Sequence, residues 1–383
     1  MKKQTLHHVA RGTTKGSSAA SARPASLPSI AAVLQPFVDR GSLAGAVTLV
    51  ADHKRVLSLE TVGFADIATG KPMRPDTLFW IASQSKPITA AAFMMLVDEG
   101  KVRIDDAVEQ YLPEFKGQWL AVEQDAEHVL LRKPRHPITI RNILSHTSGL
   151  PFQSPMEQPT LDLLSLREAA MSYAMTPLQF EPDTRYQYSN AGINTAGRII
   201  EVLSGLSYEE FLNQRLLEPL GMRDTTFRPD RRQLARLATA YRPTADKAGL
   251  EALAITQLRY PLNDRARQPM PAGGLFSTAA DVARFCQMVL NGGVFAGKRL
   301  LSPSAVTQMT SRQTDAALTD SYGLGWGVGP GTFGHGGALA TNMAIDTRRG
   351  LITVFLVQHA GFAGDGGNSQ AAFQEAAERL FGP

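Results

Sequence analysis

The sequence predicts an α/β (α+β) fold in which a sheet is assembled from both ends of the chain and a mostly helical part is inserted between them. Three observations carry this expectation. Runs with the period-two, β-branched character of strands fall near the two ends, at 44–63 and 343–357. The middle of the chain, from about 83 to 265, reads instead as helices and long loops. The 383 residues are 43% hydrophobic and 19% charged, an ordinary globular balance with apolar material for a large core.

Taken in order, residues 1–27 are polar, acid-free and rich in Ser, Ala and basic residues. They lack the apolar core of a secretory signal and are expected to be a disordered leader. Folding signals start at 28 and run to 383. Ser29 to Arg40 has Ile30, Val33, Leu34, Phe37 and Val38 on one helical face. Ala44 to Ala51 and Arg55 to Gly63 read as strands, with Asp52 to Lys54 as the turn. Ile88 to Glu99 reads as a buried helix stopped by Gly100. Ile138 to Leu144, Ala191 to Leu203 and Tyr208 to Leu217 are the clearest helices of the middle part. Met343 to Asp346 and Leu351 to Val357 return to strand spacing, and Ser369 to Leu380 closes the chain as an amphipathic helix. The expected partition is therefore a sheet-containing part at 28–82 and about 266–383, with a helical part at about 83–265. A cleft between two such parts is a natural place for a site.

Charge and composition narrow the function. The net charge is +4, but Lys2, Lys3, Arg11, Lys15 and Arg23 all precede the first acid, Asp39. Removing those five leaves −1, so the body offers no basic surface for nucleic acid. The one cysteine, Cys286, sits in an amphipathic helical stretch and reads as a buried structural thiol. No apolar run is long enough to span a membrane. The compartment stays open: the missing secretory core favours the cytoplasm, yet exported enzymes without disulfides exist. The eight histidines include no H-E-x-x-H, and there is no P-loop or strand-linked G-x-G-x-x-G. No metal or nucleotide cofactor is implied, and oligomeric state is not readable.

Three short motifs carry chemistry. Ser83-Gln-Ser-Lys86 follows the apolar entry Phe79 to Ala82 and opens an apolar helix. Ser83 would sit at the helix start, where backbone N–H groups favour developing negative charge. Lys86, three residues on, shares its helix face, and a partly desolvated lysine there can activate the hydroxyl. Tyr188-Ser-Asn190 precedes the helix at 193–203. A tyrosine at such a loop edge serves as a general base where cations hold it as phenolate, since its ordinary pKa is about 10. His335-Gly336-Gly337 has adjacent glycines that let the backbone approach a ligand, and it leads into a strand-like stretch, Leu339 to Asp346. Taken singly, each motif has a plainer reading: a Ser cap with a solvated lysine, a surface tyrosine with Asn190 as helix cap, and a Gly-rich turn with a structural histidine.

Together and in this order, Ser83-x-x-Lys86, Tyr188-x-Asn190 and His335-Gly-Gly337 resemble the penicillin-recognising serine hydrolases. The resemblance is to the class C β-lactamase branch, with its family VIII carboxylesterases and DD-peptidase-like enzymes. Ser145-His-Thr-Ser-Gly-Leu150, Glu218-Pro-Leu-Gly-Met222, Ala272-Gly-Gly-Leu-Phe-Ser-Thr278 with Asp281, and Tyr322-Gly-Leu-Gly-Trp326 match the same style. The resemblance implies a class C β-lactamase-like fold, a mixed antiparallel sheet flanked by helices with a helical insert. It implies Ser83 as acylated nucleophile, Lys86 and Tyr188 as the proton-handling pair, and Asn190 orienting Lys86 and substrate. It implies an oxyanion hole from the N–H groups of Ser83 and Ala338, and a substrate contact at Gln153.

One departure bears on substrate. Class C β-lactamases usually carry Lys-Thr-Gly as the third motif, whereas here His335 and Gly336 stand in place of the lysine and the hydroxyl residue. A neutral histidine supplies little of the charge that grips a β-lactam carboxylate. The expected activity is therefore a carboxylesterase working on small to medium esters, with a small-molecule ester or amide as its partner. The alternatives are a β-lactamase or D-amino-acid peptidase, and, from another class, a penicillin-binding or sensor protein that does not turn over. The stretch Lys116 to Pro137 reads as an insertion that shapes the acyl pocket.

Overall fold

The structure is a computed structural model and describes residues 28–382; the expected leader at 1–27 lies outside them. Its centre is a seven-stranded sheet in the order Gly327–Gly329, Thr332–Gly336, Asn342–Asp346, Leu351–Leu356, Gly45–Ala51, Val56–Asp66, Lys71–Pro72. Every ladder in it is antiparallel. The N-terminal strand Gly45–Ala51 pairs with the C-terminal strand Leu351–Leu356, Val47 opposite Leu356. The two chain ends thus meet in the middle of the sheet.

All seven residues of Gly45–Ala51 are buried because both faces are covered. Ala46 and Val50 point to one side, where they meet Ile30, Leu34, Phe37, Phe355 and Phe373. Helix Ile30–Asp39, capped by the Ser29 side chain, and helix Ser369–Phe381 supply that layer. Val47, Leu49 and Ala51 point to the other side, into a larger cluster with Ile352, Val354, Phe93 and Phe285. There the covering helices are Ser85–Asp98 and Ala279–Leu290. Each such aliphatic or aromatic side chain contributes roughly 1.5–3 kcal/mol on burial. Cys286 is fully buried beside Met343, and burial pushes its thiol up from the ordinary range.

Three elements differ from the sequence expectations. The stretch expected to run as one helix from Tyr208 to Leu217 is an α-helix only over Tyr208–Leu212 and widens to a π-turn over Asn213–Leu217. Pro219 follows at once and lacks the N–H needed to continue an i→i−4 ladder. The expected insertion forms a hairpin, Leu120–Gln124 with Val129–Arg132. His335 and Gly336 lie within strand Thr332–Gly336, and the turn falls at 337–341, before the strand resumes at Asn342. Gly334 permits this strand, since a Cβ there would sit 2.5 Å from the Met343 carbonyl.

Candidate active site

The candidate site lies where the edge of the sheet meets helices Ser85–Asp98 and Asn190–Ser204. Phe79–Trp80 forms a two-residue ladder with Phe276–Ser277, and the Trp80 indole donates to the Gly273 carbonyl at 2.7 Å. The chain then turns sharply. Ala82 adopts φ 46°, a left-handed conformation that costs a non-glycine residue about 1–3 kcal/mol and persists only where neighbours hold it. Ser83 follows in a 3₁₀ turn, Ala82–Gln84, just ahead of the helix. It is therefore one step earlier than a helix start, and its half-buried side chain faces a cavity.

Lys86 lies in the first turn of Ser85–Asp98 and is fully buried. Burial pushes its pKa well below the ordinary lysine value. Its Nζ lies 2.8 Å from Asn190 Oδ1, 2.8 Å from the Ala272 carbonyl and 3.2 Å from Ser83 Oγ. A neutral amine has two hydrogens and one lone pair. The two carbonyl oxygens accept only, so they take both hydrogens. The lone pair is left for the Ser83 hydroxyl, which is the geometry of a base poised to receive its proton.

Tyr188 and Asn190 arrive on the entry to helix Asn190–Ser204. Ser189 is the cap, its Oγ accepting from the Gly192 N–H, so Asn190 is free to face Lys86. The Tyr188 ring lies under Lys86 Nζ, 4.5 Å from centroid to nitrogen. Burial raises the Tyr188 pKa above its ordinary value, and the Ser83 hydroxyl pulls it only part of the way back. Burial thus favours the uncharged form of both Tyr188 and Lys86.

His335 completes the ring of groups. Its Nδ1 lies 2.7 Å from the Gly336 carbonyl, an acceptor, so Nδ1 carries the proton. Nε2 then accepts from the Tyr322 hydroxyl at 2.9 Å and, more distantly, from Tyr188 at 3.5 Å. Burial is the largest cause that holds His335 down, to about 3. The ring is therefore neutral at pH 7. Gly337 is required as glycine, because a Cβ would lie 2.5 Å from the Ile81 carbonyl. That close approach brings Ala338 to the cavity, where its N–H has no acceptor among the described residues.

The cavity has a volume of about 570 Å³. Ser83, Tyr188, Asn190, Ala338 and Gln153 line it, with Trp80, Phe152, Leu161 and Met270 as apolar wall. Of the expected site residues, Lys86, His335, Gly336 and Gly337 do not line it. No lysine or arginine lines the cavity, and no residue of 116–137 does, so the insertion does not shape this pocket. Among the described residues no cluster of His, Cys, Asp or Glu could hold a metal ion, and no helix is long and apolar enough to cross a membrane.

Nothing in the residue types marks the Ala272 carbonyl as a partner of Lys86, since backbone groups leave no residue signature. The segment Ala272 to Thr278 was visible as a motif only. Asn194 Oδ1 fixes that peptide by accepting from the Ala272 N–H at 3.0 Å. Tyr322, buried and bonded to His335, and His146, buried beside Tyr188, were likewise visible only as members of supporting segments.

Comparison with known proteins agrees with this architecture. The family model described as Beta-lactamase matches residues 30–377. An uncharacterized protein of Mycobacterium tuberculosis is 34% identical over 364 residues, 86% of this chain and 89% of the relative. Esterase EstB of Burkholderia gladioli is 28% identical, covering 91% of this chain and 95% of its own. Among solved structures, EstCE1, described as a hydrolase with promiscuous acyltransferase activity, superposes with a TM-score of 0.76 at 26% identity, covering 91% of this chain and 97% of its own. The chain belongs to the β-lactamase family of serine hydrolases.

Proposed function

We propose that this member of the β-lactamase family hydrolyses small to medium carboxylic esters through an acyl-enzyme on Ser83. The observation that carries the reading is the buried Lys86 Nζ, 3.2 Å from Ser83 Oγ and 2.8 Å from each of two carbonyl oxygens, with its pKa pushed down by burial. In acylation the Ser83 proton passes to Lys86 Nζ while Oγ bonds to the acyl carbon. The carbonyl oxygen, now negative, is received by the N–H groups of Ser83 and Ala338. As the ester C–O bond breaks, the Tyr188 hydroxyl gives its proton to the departing alkoxide, and the Lys86 ammonium restores it. In deacylation water attacks the same carbon, its proton returns through the same pair, and Ser83 leaves as the hydroxyl.

Neutral His335 and a cavity wall without lysine or arginine support uncharged esters over substrates that present a carboxylate. The esterase name of the Burkholderia relative and the hydrolase description of EstCE1 point the same way. The test compares p-nitrophenyl acetate and butyrate with nitrocefin and D-Ala-D-Ala release, in wild type and Ser83→Ala. Ester turnover that exceeds the other two and disappears in Ser83→Ala is expected. Equal ester rates in the two proteins would sink the reading, and dominant nitrocefin turnover or D-Ala release would replace it with the β-lactamase or peptidase alternative.

A further inference from the structure

We propose that His146 is a positioning residue of this site, a neutral clamp that holds Tyr188 in place through the peptides on either side of it. The inference rests on the Ser83–Lys86–Tyr188 reading above.

His146 is the residue at which helix Ile140–Ser145 ends, and it adopts φ 63°. Asparagine and glycine are the usual occupants of that left-handed position, and histidine there is strained. Its placement is fixed by what it touches. The His146 carbonyl accepts from the Gln187 N–H at 2.9 Å, and its ring Nδ1 accepts from the Ser189 N–H at 3.1 Å. The two donors are the residues immediately before and after Tyr188. One histidine thus grips the chain on both sides of the tyrosine.

The ring also packs against it. His146 lies 4.5 Å from Tyr188 and 4.7 Å from Tyr322, centroid to centroid. Tyr322 is the donor to His335, so the same ring stands between the second and third motifs. Because Nδ1 accepts, Nε2 must carry the hydrogen in the neutral ring. That Nε2 is buried without a hydrogen-bond partner in a residue only 1% exposed. A packing role alone would not call for such a group, since an apolar side chain leaves no orphaned donor. What phenylalanine lacks is the acceptor for Ser189.

That contrast gives the experiment. His146→Asn keeps an acceptor close to the Nδ1 position and loses the ring. His146→Phe keeps the ring and loses the acceptor. Initial rates on p-nitrophenyl butyrate and the rate of Ser83 labelling by a fluorophosphonate are measured for both, with circular dichroism melts as the folding control. His146→Phe is expected to lower kcat and labelling about tenfold or more with KM within about threefold, and His146→Asn to restore most of that loss. A purely structural role predicts instead that kcat and labelling follow each variant's Tm, whichever variant is the more stable. His146→Phe equal to or faster than His146→Asn overturns the proposal. Should His146→Phe not fold, His146→Gln replaces it, because its amide reaches the Nε2 position rather than Nδ1, and the order Asn above Gln carries the same test. A wild type that neither labels nor hydrolyses ester overturns the hydrolase reading itself, and the clamp with it.

Discussion

Asn190→Asp is the sharpest test of how Lys86 works. The change replaces one amide nitrogen by oxygen and leaves the shape of the side chain intact. It places a carboxylate oxygen where Asn190 Oδ1 now lies, 2.8 Å from Lys86 Nζ. Two unit charges at that distance attract by ~6 kcal/mol at an effective dielectric of about 20. At 1.36 kcal/mol per pKa unit, this is a ceiling of ~4 units on the rise of the Lys86 pKa. Ionising a carboxyl that is itself buried opposes part of the gain, so a rise of ~2 units is expected. A base that must be neutral to accept the Ser83 proton then loses active form by a factor approaching ten for each unit by which its pKa exceeds the working pH. Ester hydrolysis at pH 7 should fall about tenfold or more and recover as the pH is raised. The assay is kcat/KM for a methyl or ethyl ester by pH-stat, from about pH 5 to 10. The acid limb should move to higher pH in Asn190→Asp. Asn190→Ala, which adds no charge, should lose rate without that alkaline displacement. An Asn190→Asp limb that stays put, or moves toward acid, refutes the neutral-lysine mechanism.

Three further outcomes follow from the same geometry. His335→Lys places a cation beside the cavity, and the ratio of nitrocefin to ester turnover should rise about tenfold or more; an unchanged ratio counts against the account of substrate charge. His335 is held down to about 3, so between its ordinary value near 6.5 and that point the unfolded chain binds a proton the folded one does not. Stability therefore falls with falling pH across that window, and His335→Gln should show a shallower loss of Tm between about pH 6.5 and 4 than wild type. Arg267 and Asp162 form a fully buried ion pair at 2.6 Å that ties the loop bearing Leu161 to the loop bearing Met270. Arg267→Met leaves Asp162 without its counter-charge and should cost about 3–5 kcal/mol in denaturant unfolding, against little change if the pair were dispensable.

How much of this was legible in the sequence depends on what kind of group is concerned. The side chains of the three ordered motifs, Ser83, Lys86, Tyr188, Asn190 and His335, stand out because their residue types and spacing recur together, and the structure draws them into one cluster. The central strands stand out because Val47, Leu49, Val354 and Leu356 keep strict spacing in a fully covered layer. The strand carrying His335 does not: Thr332-Phe-Gly-His-Gly336 has two glycines, which weaken any strand signal, and it is held by ladders on both sides, with Gly334 leaving room for the close Met343 carbonyl. The hairpin at 120–132 was hidden for the opposite reason. All four residues of Val129–Arg132 are exposed, so no buried face imposes an alternation to read. The Lys86 environment was half hidden. Its two carbonyl acceptors come from Asn190, a side chain with a motif around it, and from Ala272, a peptide with none.

The pairing of Gly45–Ala51 with Leu351–Leu356 also governs when activity can appear. Gln358 donates to the carbonyl of Trp80 across 278 residues, steadying the strand that leads into Ser83. On a ribosome, Ser83 and Lys86 emerge well before the strand bearing His335, the turn bearing Ala338 and the strand that closes the sheet. Contacts this distant in sequence form late and slowly. A growing chain therefore carries Ser83 and Lys86 before the residues proposed as the second half of the oxyanion site exist, and on the proposed mechanism it gains competence only when those later segments have folded against it.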